Sequence, residues 1–390
     1  MRIRELTAIH ARIPLKRPVR HASHSRSEND TLLVRCRLEG GSLGWGEGLP
    51  RPYVTGETIE SAWQHFHEFD VRLLAEDIDD VSQLAALLDR IAIPRPGDQR
   101  DCFGNSVRCA IELAVADAFC RAFDLPVSQF LYHLPELEPI RRQAEIVRYS
   151  GALTGDTPRK LLTKASLFRL TGFRQCKLKV GFSEDVDRRN VRWVRCTLGP
   201  SIALRIDANE AWQPDDLSSK FAWLEQANVV AVEQPVPHHR VRELASVRRD
   251  LSIPIMLDES LCTATDAQQA IEEGLCDLFN LRLSKCGGLL PVVRLARLAY
   301  DAGLGYQLGC QVGETGILSA AGRHVATTLD SLFAVEGSFD RFLVREPLTT
   351  EDLTFGWGGA AAAIRSPGLG FTLDEAALLR VTKRESGISV

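Results

Sequence analysis

Apolar and polar positions along the chain follow two different rhythms. Residues 31–38 (TLLVRCRL) are rich in β-formers, Gly40-Gly41 reads as a hairpin turn, and a second strand-like run covers 42–47. Between Glu57 and Arg90 the spacing turns helical, with apolar positions at Leu73, Leu74, Leu84, Leu87 and Leu88, until Pro94, Pro96 and Gly97 interrupt it. Asn105 is placed to cap a long helix through Ile111, Leu113, Val115 and Ala118 to Phe123. The first third therefore predicts a small α+β unit.

From about residue 144 short β-like runs alternate with amphipathic helical stretches. The strand candidates are 145–149, 175–180, 202–207, 229–233, 253–258, 277–283, 305–308 and 332–336. Such β-runs separated by helices predict a parallel (β/α) barrel.

Charged residues recur in phase with these units. Lys179, Asp207, Glu233, Asp258 and Lys285 follow one another at steps of 28, 26, 25 and 27 residues. Each step is about one βα unit, so the five charges fall at equivalent strand ends. In a barrel those ends share the face that carries catalysis. Asp207, Glu233 and Asp258 would converge there, and converging carboxylates need a cation between them. An all-oxygen set without His or Cys selects Mg²⁺, with Mn²⁺ possible, over zinc or copper. Asn209, two residues past Asp207, can face the same way, and Glu259 beside Asp258 can support it.

The run Lys177-Leu178-Lys179 places both ammonium groups on one strand face. Two like charges at close range are expected to lower one another's pKa. Lys179 is then the candidate general base, with Lys177 tuning it and binding a substrate anion. Lys285, followed by Cys286-Gly287-Gly288, stands on the other flank. A dication on a substrate carboxylate acidifies the adjacent C–H, and a lysine on either side can take or return that proton.

Composition narrows the class. The chain has 390 residues, 47 Lys plus Arg against 51 Asp plus Glu, and a net charge of −4. That balance argues against a nucleic-acid or anionic-membrane binder. No apolar run reaches membrane-spanning length, and the first residues, Met1-Arg2-Ile3-Arg4-Glu5, lack the apolar core of a secretory signal. The ten cysteines are dispersed without a CxxC pair, which reads as reduced, buried thiols in a cytoplasmic protein.

Taken together, KLK at 177–179, DANEAW from Asp207, VEQP around Glu233, LDES from Asp258, SKCGG from Ser284, GWGEG at 44–48 and PGLGF at 367–371 resemble the enolase superfamily, and within it the muconate-lactonising-enzyme (muconate cycloisomerase-like) subgroup. The pairing of a lysine base with Mg²⁺ on an ene-diolate is general knowledge of that superfamily. The resemblance implies an α/β fold, a modified (β/α)8, TIM-like (β/α)7β barrel under an N-terminal α+β capping domain that the C-terminal tail completes. The expected division is a cap over 1–135, a barrel over 136–350 and a returning segment over 351–390. It also implies Asp207, Glu233 and Asp258 as metal ligands and Lys179 and Lys285 as acid/base residues. Specificity would come from two cap loops, 21–27 and 51–58, which offer His21, His24, Arg26 and Tyr53 as substrate contacts. Tyr149, Glu314 and Glu336 are further candidates, whereas His324 is expected to be structural.

Dipeptide epimerases of the subgroup carry an Asp-x-Asp at the eighth strand; here that place reads Val335-Glu336-Gly337-Ser338. The single Glu336 looks closer to muconate cycloisomerases. The leading expectation is thus an Mg²⁺-dependent isomerase of cycloisomerase type acting on a small carboxylate. A racemase or epimerase of N-acyl amino acids or dipeptides and an o-succinylbenzoate synthase-type lyase are the alternatives. A Schiff-base aldolase or a non-catalytic binding protein represents a different class. A homo-oligomer is compatible with the sequence.

Overall fold

The computed structural model describes the chain apart from residues 21–24, 98 and 155–156. Three strands open it: β1 (Ile3–Arg20), β2 (Ser25–Leu38) and β3 (Leu43–Gly48). The next two, β4 (Ile146–Arg148) and β5 (Gly151–Leu153), lie beyond the long helix Asn105–Ala122. Then come β6 (Gln175–Lys179), β7 (Ala203–Asp207), β8 (Val229–Glu233), β9 (Ile255–Leu257), β10 (Leu278–Leu281) and β11 (Gly305–Leu308). Finally, β12 (Ala360–Ala362) and β13 (Thr382–Ser389) end the chain.

The cap is an antiparallel sheet in the order β13-β1-β2-β3, so the C-terminal strand closes the sheet that the N-terminal strand begins. The GWGEG run explains how a helix seats on this sheet. Gly44, Gly46 and Gly48 share one face by the period of two. A Cβ on Gly46 would stand 1.9 Å from the Ala110 carbonyl oxygen, and one on Gly48 would stand 2.0 Å from that of Ser106. Only glycine lets the helix Asn105–Ala122 approach so closely.

The N-cap of that helix is Gly104, at φ 104°, and not Asn105. Asn105 instead donates from Nδ2 to the carbonyls of Cys262 (3.1 Å) and Lys285 (2.7 Å), tying cap to barrel. Two buried cap carboxylates do the same at barrel helix N-termini. Glu112 accepts from the Leu290 amide at 2.8 Å, and Glu47 accepts from the Thr315 amide at 3.0 Å and its hydroxyl at 2.6 Å. Unpaired amides at a helix start favour anionic acceptors.

The second sheet is parallel and ordered β5-β6-β7-β8-β9-β10-β11. Two expected strands differ. The run 145–149 yields β4, which pairs with β12 outside the barrel, and the first barrel strand is β5. The eighth run, 332–336, makes a single parallel bridge between Val335 and Leu308. Along the barrel strands Cys176, Leu178, Leu204 and Ile206 are fully buried in the main core. Their alternates point inward in layers. Ala231, Met256 and Leu278 form a separate apolar cluster, level in register with charged positions, since Arg205 pairs with Ala231 and Glu233 with Met256.

Candidate active site

Strand register brings the site together. Lys179, Asp207, Glu233 and Met256 are successive partners across β6, β7, β8 and β9. Asp258 lies two residues beyond Met256, and Lys285 sits in the short helix Leu283–Cys286 that follows β10. The sheet order therefore sets three carboxylates between two lysines.

The interior is a dense ionic network. Lys177 donates to Glu336 Oε2 at 2.7 Å and to both Glu233 oxygens at 3.1 Å, with Asp207 Oδ2 at 3.5 Å. Burial alone would lower its pKa, but Glu233, Glu336 and Asp207 reverse the sign and raise it. This corrects the sequence expectation that the two lysines depress each other: the carboxylates around Lys177 outweigh its neighbour. Lys179 donates to Asn209 Oδ1 at 2.9 Å, and its side chain is 20% exposed. Lys285 is fully buried and donates to Asp258 O (2.7 Å), Asp258 Oδ1 (3.0 Å) and Asn280 O (2.8 Å). Burial opposes its charge, yet Asp258 raises its pKa.

Several participants were not singled out from the sequence. Arg282 donates from Nη2 to Asp258 Oδ2 and, at 3.3 Å, to Glu233 Oε1. Arg205, wholly buried, reaches Glu336 Oε1 at 2.9 Å and Gln307 Oε1 at 2.5 Å. Asn280 donates to Glu233 Oε1 at 2.9 Å. Each is legible by alternation, since Arg205 precedes Asp207 by two and Asn280 and Arg282 continue the inward face of β10.

The acids respond to this setting. Burial pushes Glu233 up to about 7 against the pull of Lys177. Burial and Asp258 push Glu259 up to about 8. Glu336 goes the other way: burial would raise it, but Lys177 and Arg205 hold it down to about 2. Asp207 Oδ2 and Glu259 Oε2 are buried without a hydrogen-bond partner. Among the described residues no three His, Cys, Asp or Glu side chains form a closed ligand set, and Arg282 takes lone pairs on two of the expected ligands. The donor chemistry nevertheless fits a hard dication: the set is all oxygen, neighbouring acids add to burial in raising Glu233 and Glu259, a strain a cation would relieve, and Asp207 Oδ2 accepts no hydrogen bond.

The remaining candidates fall around the rim. Asn209 links Lys179 to Glu259 Oε1, at 3.3 Å. Tyr149 accepts at its hydroxyl from Arg323 Nε at 3.3 Å and lines a small cavity with Glu314, Ser319, Glu336 and Ser338. Burial pushes Glu314 up to about 8, although it accepts from the Gln311 amide at 2.6 Å. In the cap the Arg26 guanidinium stands 5.2 Å from the Tyr53 ring centre. His21 and His24 lie outside the described residues. His324 is buried, accepts from the Ser128 amide and faces the Leu369 carbonyl, and burial lowers it to about 4, as befits a structural residue.

Comparison with known proteins agrees with this geometry. Residues 160–377 match the family model described as enolase C-terminal domain-like. Residues 3–131 match the mandelate racemase / muconate lactonizing enzyme N-terminal domain. The chain belongs to this branch of the enolase superfamily. It is 28% identical over 340 residues to N-succinyl-L-Arg/Lys racemase of Bacillus cereus, covering 85% of this chain and 86% of that one. The structure of muconate lactonizing enzyme from Pseudomonas fluorescens, complexed with muconolactone, superposes with a TM-score of 0.86 at 27% identity, over 98% of this chain and 99% of that one. A dipeptide epimerase from Cytophaga hutchinsonii, complexed with Mg and D-Ala-L-Val, gives 0.84 at 25% identity over 100% of both chains. These relatives are racemases, epimerases and cycloisomerases, and this superfamily member is likewise an isomerase.

Proposed function

We propose that the protein racemises or epimerises N-acylated α-amino acids by moving a proton at the carbon next to the carboxylate, through an enolate. The observation that carries this reading is the placement of Lys179 on β6 and Lys285 after β10, with Asp207, Glu233 and Asp258 on the three strands between. Two bases on opposite flanks are what inversion at one carbon requires.

In this reading Asp207, Glu233 and Asp258 hold Mg²⁺, with Mn²⁺ an alternative. Bound there, the dication neutralises the charge that develops on the substrate carboxylate as the enolate forms. Lys179, reachable from solvent, takes the proton from one antipode. Lys285, which begins as an ammonium held by three oxygens, delivers a proton to the opposite face, and the roles exchange in reverse. Lys177 stays charged, fixing Glu233 and Glu336 and adding positive potential beside the enolate. An ammonium whose three hydrogens are all engaged has no lone pair for imine formation, which disfavours the aldolase alternative at Lys285.

The choice of an N-acyl group over a free α-ammonium rests on the eighth run. Glu336 is consumed by Lys177 and Arg205, and Ser338 accepts from Arg323 at 3.1 Å, so no carboxylate pair is left for a substrate cation. N-succinyl-L-Arg/Lys racemase being a relative supports the same choice. The test is incubation with Mg²⁺ in deuterated water of N-acetyl and N-succinyl amino acids, dipeptides and muconate. Deuterium entering the α-position of both antipodes of the N-acyl substrates is the expected result. A second reading, muconate cycloisomerisation, is favoured by the likeness to muconate lactonizing enzyme and by the single Glu336. Lactone formation from muconate without exchange in N-acyl substrates would establish it instead.

A further inference from the structure

Outside the ionic network, two cysteines from different parts of the fold meet at the seam between cap and barrel. Cys102 lies just ahead of the cap helix Asn105–Ala122, and Cys262 lies in the turn after β9, four residues past Asp258. Both are buried, and their side chains are in direct contact. The two segments are clamped together on either side of the pair. Arg100 Nη2 donates to the Glu259 carbonyl at 3.1 Å, and Asn105 Nδ2 donates to the Cys262 carbonyl at 3.1 Å. Disulfides form where backbones already hold two thiols near one another, and these two hydrogen bonds hold the segments that carry the pair.

We propose that Cys102 and Cys262 are an oxidative modification site, a thiol pair that a peroxide converts into a disulfide joining cap to barrel. The inference does not depend on which substrate the enzyme takes. Arg100 supplies positive charge beside the pair, its Nη2 lying 4.0 Å from Cys262 Sγ, although the contact with Cys102 and burial raise the Cys262 thiol itself. The Cys102 thiol is accordingly held below the usual thiol range, chiefly by its contact with Cys262 and despite burial. Burial instead raises the thiols of Cys36, Cys120, Cys176 and Cys276. Arg100 and Asp266 also line a cavity of about 200 Å³, and Asp266 accepts from the Cys262 amide at 2.9 Å.

The chemistry balances in two steps. The Cys102 thiolate attacks one peroxide oxygen, the O–O bond breaks, and a sulfenic acid and water form once a proton is taken up. The Cys262 thiol then attacks that sulfur, the S–O bond breaks, and the thiol proton leaves with the hydroxide as a second water. In sum, two thiols and one hydrogen peroxide give one disulfide and two waters.

Oxidation of the folded, full-length protein with graded hydrogen peroxide, followed by intact-mass measurement and peptide mapping, tests this. The expected result is loss of two hydrogens in mass, a linked pair of peptides containing Cys102 and Cys262, and full reversal by dithiothreitol. The link should form at peroxide levels that leave the protein's melting transition cooperative, and it should raise the melting temperature. Oxidation confined to the exposed Cys196, or a Cys102–Cys262 link that forms only after unfolding, would overturn the proposal. Cys262→Ser, checked for native melting behaviour, should lose the link and leave Cys102 as a sulfenic acid trappable by dimedone. Absence of that adduct together with a native fold would also count against it.

Discussion

Lys285 is bound twice by Asp258, through its carbonyl at 2.7 Å and its carboxylate at 3.0 Å. This places a proton donor at a fixed position behind an expected metal ligand. Lys285→Met should therefore remove exchange from one antipode of the substrate while Lys179 still exchanges the other. The loss should be about 10²–10⁴-fold, the usual contribution of a general acid or base. Following deuterium incorporation from each pure antipode checks it; equal losses from both would place Lys285 elsewhere in the reaction.

Arg282 competes for the lone pairs that a dication would use on Asp258 and Glu233. Arg282→Met should tighten Mg²⁺ binding by about tenfold, equivalent to roughly 1.4 kcal/mol. It should also destabilise the metal-free protein by about 3–5 kcal/mol, because it breaks a buried ion pair. Calorimetric titration and urea melts read the two effects separately. Weaker Mg²⁺ binding would show that Arg282 organises the carboxylates more than it blocks them.

Burial pushes Glu47 up to about 7 against the hydrogen bonds from Thr315 and Leu318. Its folded pKa lies above the ordinary carboxylate value of 4.5. Its contribution to stability is then fully present below about pH 4.5 and is lost as pH rises through about 7. Glu47→Gln removes the titration, so the stability of wild type relative to the variant should fall across that interval. Melting temperatures of both proteins from pH 4 to 8, roughly the range where the carboxyl titrates, provide the check. A pH-independent difference would mean that Glu47 keeps one protonation state.

Gly46→Ala tests the seating of the cap helix. The added Cβ would meet backbone oxygen at 1.9 Å, and backbone cannot swing aside as a flexible side chain can. A loss of about 1–3 kcal/mol, or failure to fold, is expected from such overpacking. A melting temperature equal to wild type would show that the helix shifts freely.

Much of the site was legible because one βα unit per step is a long-range regularity that survives uncertain element boundaries. Lys179, Asp207 and Glu233 fall into line across β6, β7 and β8 as their spacing predicts. The electrostatics were harder to read. Glu336 lies more than 150 residues from Lys177 in sequence, so the pairing that keeps Lys177 charged has no local signal. Arg282 and Asn280 obeyed the same alternation but stood among residues that resembled an ordinary strand end. The misplacement of 145–149 has a different cause. A short β-prone run says nothing about its partner, and β12, which claims it, is three alanines with no β signature of their own.

Pairing of Glu5 with Ser389 has a temporal consequence. In chain order β1 precedes every barrel strand and β13 follows the last of them. That edge of the cap sheet therefore stays open until the chain beyond the barrel has been made. Deleting Thr382–Ser389 should leave a barrel that forms beneath a cap sheet with β1 exposed at its edge.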